Sequence, residues 1–407
     1  MHGADAETQL VTLDRRTLRL RGRILRLHDA VAADTDAAAT SATGQVSPDG
    51  KTLAVGGSLG QVLLVDPARL RRVGAIRLPH GTDVVDVDSW PRPDRLLVVY
   101  GRFSVQNTRG DSVAIVDPVA RRVVRRRRLF GFVWHAEKQR DGSLVLAVGP
   151  LRSRAGLRVV VVSASGAIRS VALPQEAPAR GIRVGGRYFP ALRPPALTTD
   201  GAGRIFVVAD GEPLREIDAR TLRIREHRVE LTTRSLGLPR PPAHLPGSAE
   251  PQLLRSRSPV WLGHGLLGVA GAVERPALLG GGMIGARYQP YGFQVIDTRT
   301  WRSVRTLPLT SCSASFGLFL CSQSVGGFAP DGKGSRGSTL LAYDRRWKLL
   351  YRNPSPTLWR QEIAGRLLAG RPDGSSIWEL DGRTGAVMRR LGRIPVWPPD
   401  LLDWKAR

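Results

Sequence analysis

Apolar residues in this chain come in short runs, rich in Val, Ile and Leu, that are too brief for helices and are broken by Gly, Pro, Asp or Ser. The stretch VSPDGKTLAVGGSLGQVLLVDPARLRRVGAIRLP, Val46 to Pro79, shows the grammar. TLAVGG and QVLLVDP read as strands. Between them SPDGK reads as a turn, with Pro48 fixing φ at the first corner and Asp49 and Gly50 tolerating left-handed geometry. The unit is a meander of antiparallel strands.

The same pattern recurs as an apolar run that ends near Asp and is followed by a short basic strand. Eight hairpins of this kind are marked by Asp14, Asp66, Asp117, Ser165, Asp218, Asp297, Asp344 and Asp381. Most follow one another at roughly forty to fifty residues, the period of a four-stranded propeller blade. The long gap from Asp218 to Asp297 is read as two inserted surface loops, 236–258 and 272–290. Trp90, Trp134, Trp261 and Trp359 lie near the expected innermost strand of a blade, where a large ring fills the space between neighbours. No helix-length amphipathic segment stands out.

These residues carry a resemblance. The Val46–Pro79 unit, with SPDGKTLAV and VLLVDP, resembles a blade of bacterial WD40-like or YVTN-type propellers, and FAPDGKG with TLLAYDRRW matches nearly as well. The resemblance implies an all-β propeller of four-stranded antiparallel blades and, most often for such proteins, a binding platform, although the fold also hosts enzymes. No blade carries the Gly-His and Trp-Asp dipeptides of true WD40 repeats, so their His-Asp network is not expected. The chain is read as one domain, 1–407, whose ring closes on a blade shared by 8–29 and 395–407. That gives eight blades by direct count, or seven if the amino-terminal hairpin packs outside.

Composition fits many short strands, with 45 Gly and 29 Pro in 407 residues. A net charge of +26 adds an attraction to anionic partners. The positive charge is nearly all Arg and is densest in RRVVRRRRLF, where Arg125, Arg126, Arg127 and Arg128 fall on an expected outer strand and keep sheet edges apart. Aromatics are not interleaved with these arginines, so a specific nucleic-acid partner is not expected. The expected partner is a protein or an acidic polymer, met by a monomer. No run is long enough to span a bilayer, and the start has no apolar signal core. As written the sequence reads as cytoplasmic; a missing upstream signal would make it secreted or cell-surface.

Few residues suggest chemistry. Cys312 and Cys321 would oppose each other if Phe316-Gly317 is a two-residue turn, which leaves open a cross-strand disulfide or two buried thiols. His80 with Asp86 and Asp88 is the best metal candidate, since paired carboxylates on one strand face suit a hard cation. Ordinary pairing with the abundant Arg is the simpler reading. His135 and His264 follow Trp residues at blade entries and are candidate binding residues facing the channel or a rim. GGSLG and GGGMIG match short catalytic and nucleotide-binding patterns without the strand-turn-helix context those need. No cofactor is called for. A non-catalytic propeller that binds through a rim or loop is therefore the leading expectation, and a channel-centred, metal-dependent hydrolase or lyase of lactonase-like type is the alternative. If the ends share a blade, deleting Arg393 to Arg407 should lower the melting temperature of the whole protein; an unchanged melting curve would remove the shared blade.

Overall fold

The structure is a computed structural model that describes residues 7–14, 20–31, 44–56, 60–79, 84–101, 110–129, 131–150, 156–174, 181–184, 187–190, 195–209, 212–230, 254–278, 284–324, 338–357, 359–363, 365–370 and 377–391. The chain divides into two compact units, Met1–Gln175 with Pro399–Arg407, and Glu176–Pro398. Every described strand pairs antiparallel, and seven sheets have four strands each. The fold is an all-β propeller built of such blades.

The first unit begins with the hairpin β1 (Glu7–Leu13) and β2 (Leu20–Val31). Three blades follow. They are β3–β6 (Gly44–Val46, Leu53–Val55, Gln61–Asp66, Arg71–Arg77), β7–β10 (Val84–Arg92, Arg95–Gly101, Ser112–Asp117, Arg122–Arg128) and β11–β14 (Phe132–Lys138, Leu144–Gly149, Arg158–Val162, Ile168–Ala172). The second unit opens with a two-stranded hairpin, β15 (Gly181–Val184) and β16 (Arg187–Pro190), that the sequence pattern does not suggest. Its four blades are β17–β20 (Ala196–Thr199, Arg204–Val208, Leu214–Asp218, Ile224–His227), β21–β24 (Leu254–Gly263, Leu266–Leu278, Ile284–Asp297, Arg302–Leu307), β25–β28 (Ser311–Ser315, Leu318–Ser324, Ser338–Tyr343, Leu349–Thr357) and β29–β32 (Trp359–Ile363, Arg366–Gly370, Ile377–Leu380, Val387–Leu391). The hairpin β1–β2 stands where the eighth, split blade is expected; its expected partner, 395–407, lies outside the described residues.

The core lies between blades. In β8, Leu96 and Val98 pack with Ala54, Val62 and Leu64 of the preceding blade, while Leu97 and Val99 pack with Leu144, Leu146 and Val160 of the following one. A strand buried on both faces has no polar side, which is why the middle strands read as unbroken apolar runs rather than alternating ones. Trp90 is buried in the first of these clusters, and Trp261 stacks on Phe206 at 5.4 Å. Trp90 and Trp261 each sit two residues before the end of their strand, whereas Trp134 and Trp359 sit four before it, so the four rings mark two positions rather than one.

The recurring Asp marks the turn from third to fourth strand. Oδ1 of Asp117 accepts the backbone N–H groups of Val119 and Ala120, both at 2.9 Å, and Asp66, Asp218 and Asp381 accept from their following residues in the same way. Turn geometry of this kind suits Asp because its short carboxylate reaches its own backbone. In the β13–β14 turn the residue with this role is Ser163, not Ser165: Ser163 Oγ accepts the N–H of Ala167 at 2.9 Å. Beyond the turn, five fourth strands carry one extra residue against their partner, a β-bulge at Val73, Val124, Val304, Leu350 or Met388. The expected surface loop 272–290 is largely strand, because Ala272 to Leu278 pairs with Ile284 to Pro290 as the extended part of β22–β23.

Phe316 and Gly317, at φ of 53° and 73°, form the two-residue turn between β25 and β26, which places Cys312 opposite Cys321. Their Cα atoms are 4.0 Å apart, the spacing of a close, non-hydrogen-bonded pair, and a disulfide joins them. Both residues are buried. They should therefore resist thiol reagents in native protein until reduced. Replacing both with Ala should cost about 2–3 kcal/mol, as expected for closing a short loop; ready labelling of unreduced native protein would show the bond absent.

Candidate functional site

Three sets of polar side chains stand out, each within one unit. The first lines the innermost strands of the first unit. Lys138 Nζ, at the end of β11, donates to Gln45 Oε1 of β3 at 3.3 Å, an exposed bond that brings the first strands of blades two apart within side-chain reach. His135 lies on the same strand, with its Nε2 4.0 Å from Glu137 Oε2. Alternate residues of a strand share a face, which brings this pair together. Burial pushes the His135 imidazole below its usual range.

Of the metal candidates, only the Asp88 side chain lies among the described residues. Asp88 is the extra residue of a bulge on β7, and its Oδ2 accepts the Val99 backbone N–H at 3.1 Å, inside its own blade. Asp86 lies opposite Val99; its side chain, like His80, falls outside the described residues. Among the described residues no group of three or more His, Cys, Asp or Glu is placed to hold a metal. His264 is not a strand residue. It occupies, at φ of 52°, the exposed turn between β21 and β22, and its carbonyl accepts from Arg299 Nη2 at 3.4 Å.

The second set is the basic edge of the first unit. Arg122 and Arg125 to Arg128 are all exposed on β10. The neighbouring outer strands extend them: β6 adds Arg71, Arg72 and Arg77, β14 adds Arg169, and none of the three strands contains an acidic residue. Two interactions tie the edge across blades. Arg127 Nη1 donates to the Ile168 carbonyl at 3.2 Å, and the Arg121 side chain lies against Gly74, where a Cβ would meet its Nε at 3.0 Å. A glycine on β6 is what lets that guanidinium lie flat.

The third set is not legible in the sequence, because it joins residues far apart in the chain. Asp200 Oδ2 accepts from Arg204 Nε at 2.7 Å, and Arg204 lies 5.3 Å from both the Phe206 and Trp261 rings. Glu216 follows, 3.9 Å from Arg204 Nη1, and bonds His227 Nε2 at 3.0 Å. His227 stacks on Trp301 at 3.4 Å. The network fastens β17–β20 to β21–β24. It is a seam between blades.

No protein-family model matches the chain, and no curated protein matches it. Among solved structures it is similar to dihydro-heme d1 dehydrogenase NirN in complex with DHE, with a TM-score of 0.56 at 13% identity over 96% of this chain and 72% of that one. It is also similar to BamB from Moraxella catarrhalis, at 0.43 and 12% over 81% and 80%, and to Sqt1 from Saccharomyces cerevisiae, at 0.49 and 11% over 86% and 84%. At these identities the likeness is one of fold.

The seam carries a pH signature. Burial alone would raise the Asp200 carboxyl, but hydrogen bonds from the Arg204 side chain and from the Arg204 and Ala202 backbone hold it below its usual range. A lowered folded value means a contribution present at neutral pH and lost as pH falls through about 4 toward that value. Asp200→Ala should cost about 2 kcal/mol at pH 7, and the gap to the parent in chemical denaturation should narrow on acidification; a gap independent of pH would mean that the carboxylate charge contributes nothing.

Proposed function

We propose that this protein is a non-catalytic propeller that presents a basic rim to an acidic partner, either the acidic face of a protein or an acidic polymer. One observation carries the reading: the arginines of β6, β10 and β14 are exposed on strands that contain no acidic residue, while the acids of the neighbouring turns are bonded to their own backbone. Backbone N–H groups at the third-to-fourth-strand turns hold Asp66, Asp218 and Asp381 below the usual carboxylate range. Glu379 accepts from Nε and Nη2 of Arg366, each at 2.8 Å, and pairs with Arg389 Nε at 3.0 Å. On β6, β10 and β14 the arginines are exposed and like-charged, so together they make a positive field at this edge.

The β10 edge is the part most suited to such a partner. About seven residues of strand span roughly 20 Å, a length over which an extended acidic chain or a row of surface carboxylates meets several guanidinium groups at once. Binding of this kind weakens as salt rises, since exposed charges are screened beyond about 8 Å at physiological ionic strength. The full chain should be retained on immobilised heparin and polyglutamate above that ionic strength, and changing Arg121, Arg122 and Arg125 to Arg128 to Ser should abolish retention without changing the melting temperature. Retention that survives those changes, or none in the parent, would remove the rim from the function.

A further inference from the structure

The second unit carries a second surface, in which the bulged aliphatic side chain also seen once on β10, at Val124, recurs in blade after blade. In its last three blades the bulge on the fourth strand falls at Val304, Leu350 and Met388, and these side chains are 47%, 46% and 58% exposed. A bulge re-aims a side chain, and here it repeatedly aims an aliphatic one at water. Leu349 and Val387, one residue before two of the bulges, are exposed as well. Isolated apolar residues on a surface need no explanation, but the same structural position repeated in three consecutive blades does.

These blades are neighbours. Phe293, Val295, Phe319 and Leu341 pack β21–β24 against β25–β28, and Leu320, Leu340, Leu367 and Trp378 pack β25–β28 against β29–β32. Tyr351 Oη also donates to the Gly382 carbonyl in the next blade's turn at 3.3 Å. Because each blade runs the same meander, the bulges, one or two residues into their strands, all lie at the end where the third-to-fourth-strand turns open.

Around them the charge has one sign. Arg299, Arg302, Arg305, Arg345, Arg346 and Arg390 are exposed at this end, and Lys348 and Arg383 join them. The turns TRTW, RRWK and GRTGA and the strands β24, β28 and β32 contain no acidic residue. The acids nearby are Asp297, Asp344 and Asp381, whose Oδ1 atoms accept backbone N–H groups of Arg299, Arg346 and Arg383 at 2.8, 2.9 and 2.8 Å, and the buried Glu379, which is bonded by Arg366 and Arg389.

We infer that this end of the second unit docks on the surface of an anionic lipid bilayer, with the bulged aliphatic side chains entering the headgroup–acyl boundary and the arginines meeting lipid phosphates and carboxylates. A purely polyanionic chain would be satisfied by the arginines alone and gains nothing from exposed Val, Leu and Met. A bilayer interface rewards both. Guanidinium groups interleaved with aliphatic side chains on one end of adjacent blades match that chemistry.

The test uses the full chain and vesicles of equal parts phosphatidylcholine and phosphatidylserine, with phosphatidylcholine vesicles as the neutral control. Co-sedimentation should show binding to the anionic vesicles alone. The combined changes Val304→Ser, Leu350→Ser and Met388→Ser should weaken it about tenfold or more while leaving heparin retention unchanged. Arg302→Ser with Arg305→Ser and Arg390→Ser, made separately, should weaken it as well, so a folding defect in one variant does not decide the result. Equal binding to neutral vesicles, no binding to anionic ones, or an aliphatic variant that binds like the parent would overturn the inference. The last result, with heparin competing, would name an acidic polymer as the occupant instead. If the β10 arginine variant loses vesicle binding while both of these variants keep it, the attraction belongs to the other unit and the inference also fails.

Discussion

The fold depends on apolar burial between blades. A four-stranded blade of this protein has two apolar faces and no core of its own. The residues of β8 show the consequence, alternating between the preceding and the following blade so that neither face is finished without a neighbour. Burying one Leu or Ile of this kind contributes about 1.5–3 kcal/mol, and each such residue counts only while two blades stand together. Stability is therefore shared across seams, in the manner of repeat proteins whose units are held by nearest neighbours. The polar seam from Asp200 to Trp301 adds directional interactions to one of these junctions.

A second constraint sets the surface. Each third-to-fourth-strand turn must satisfy its backbone N–H groups, and a local carboxylate or hydroxyl does this at little entropic cost. Most of the acids that mark the repeat are spent in this way. The same turns and the strands that follow are rich in Arg, so each turn acid is tied to its own backbone beside exposed arginines.

The repeat is legible in the sequence because one turn chemistry recurs at a regular period, and the cysteine pairing is legible because Phe316-Gly317 fixes a register. Where a local signal is ambiguous, the pattern points to the wrong atom. In VSASG both serines fit the turn, and only the hydrogen-bond pattern selects Ser163. The GGGMIG segment hides the hairpin of β22 and β23, since Gly-rich sequence reads as loop while the flanking residues pair as strand. Alternation along β7 assumes an unbroken strand, and the bulge at Asp88 interrupts it. Bulges leave no mark at all: Val, Leu and Met on an outer strand look the same whether paired or pushed out.

The cross-link between Cys312 and Cys321 has a consequence for motion. The first and fourth strands of a blade each have a hydrogen-bonded neighbour on one side only, so a blade can fray from either. In β25–β28 the first strand is pinned to β26 through the disulfide, at the fourth residue from the turn in each direction. Peeling of β25 is blocked while the bond stands, so fraying in this blade must start from β28. The other described first strands have no such pin. Slow amide exchange should therefore extend to the inner edge of one blade alone, giving the sheets unequal dynamics from nearly equal architecture.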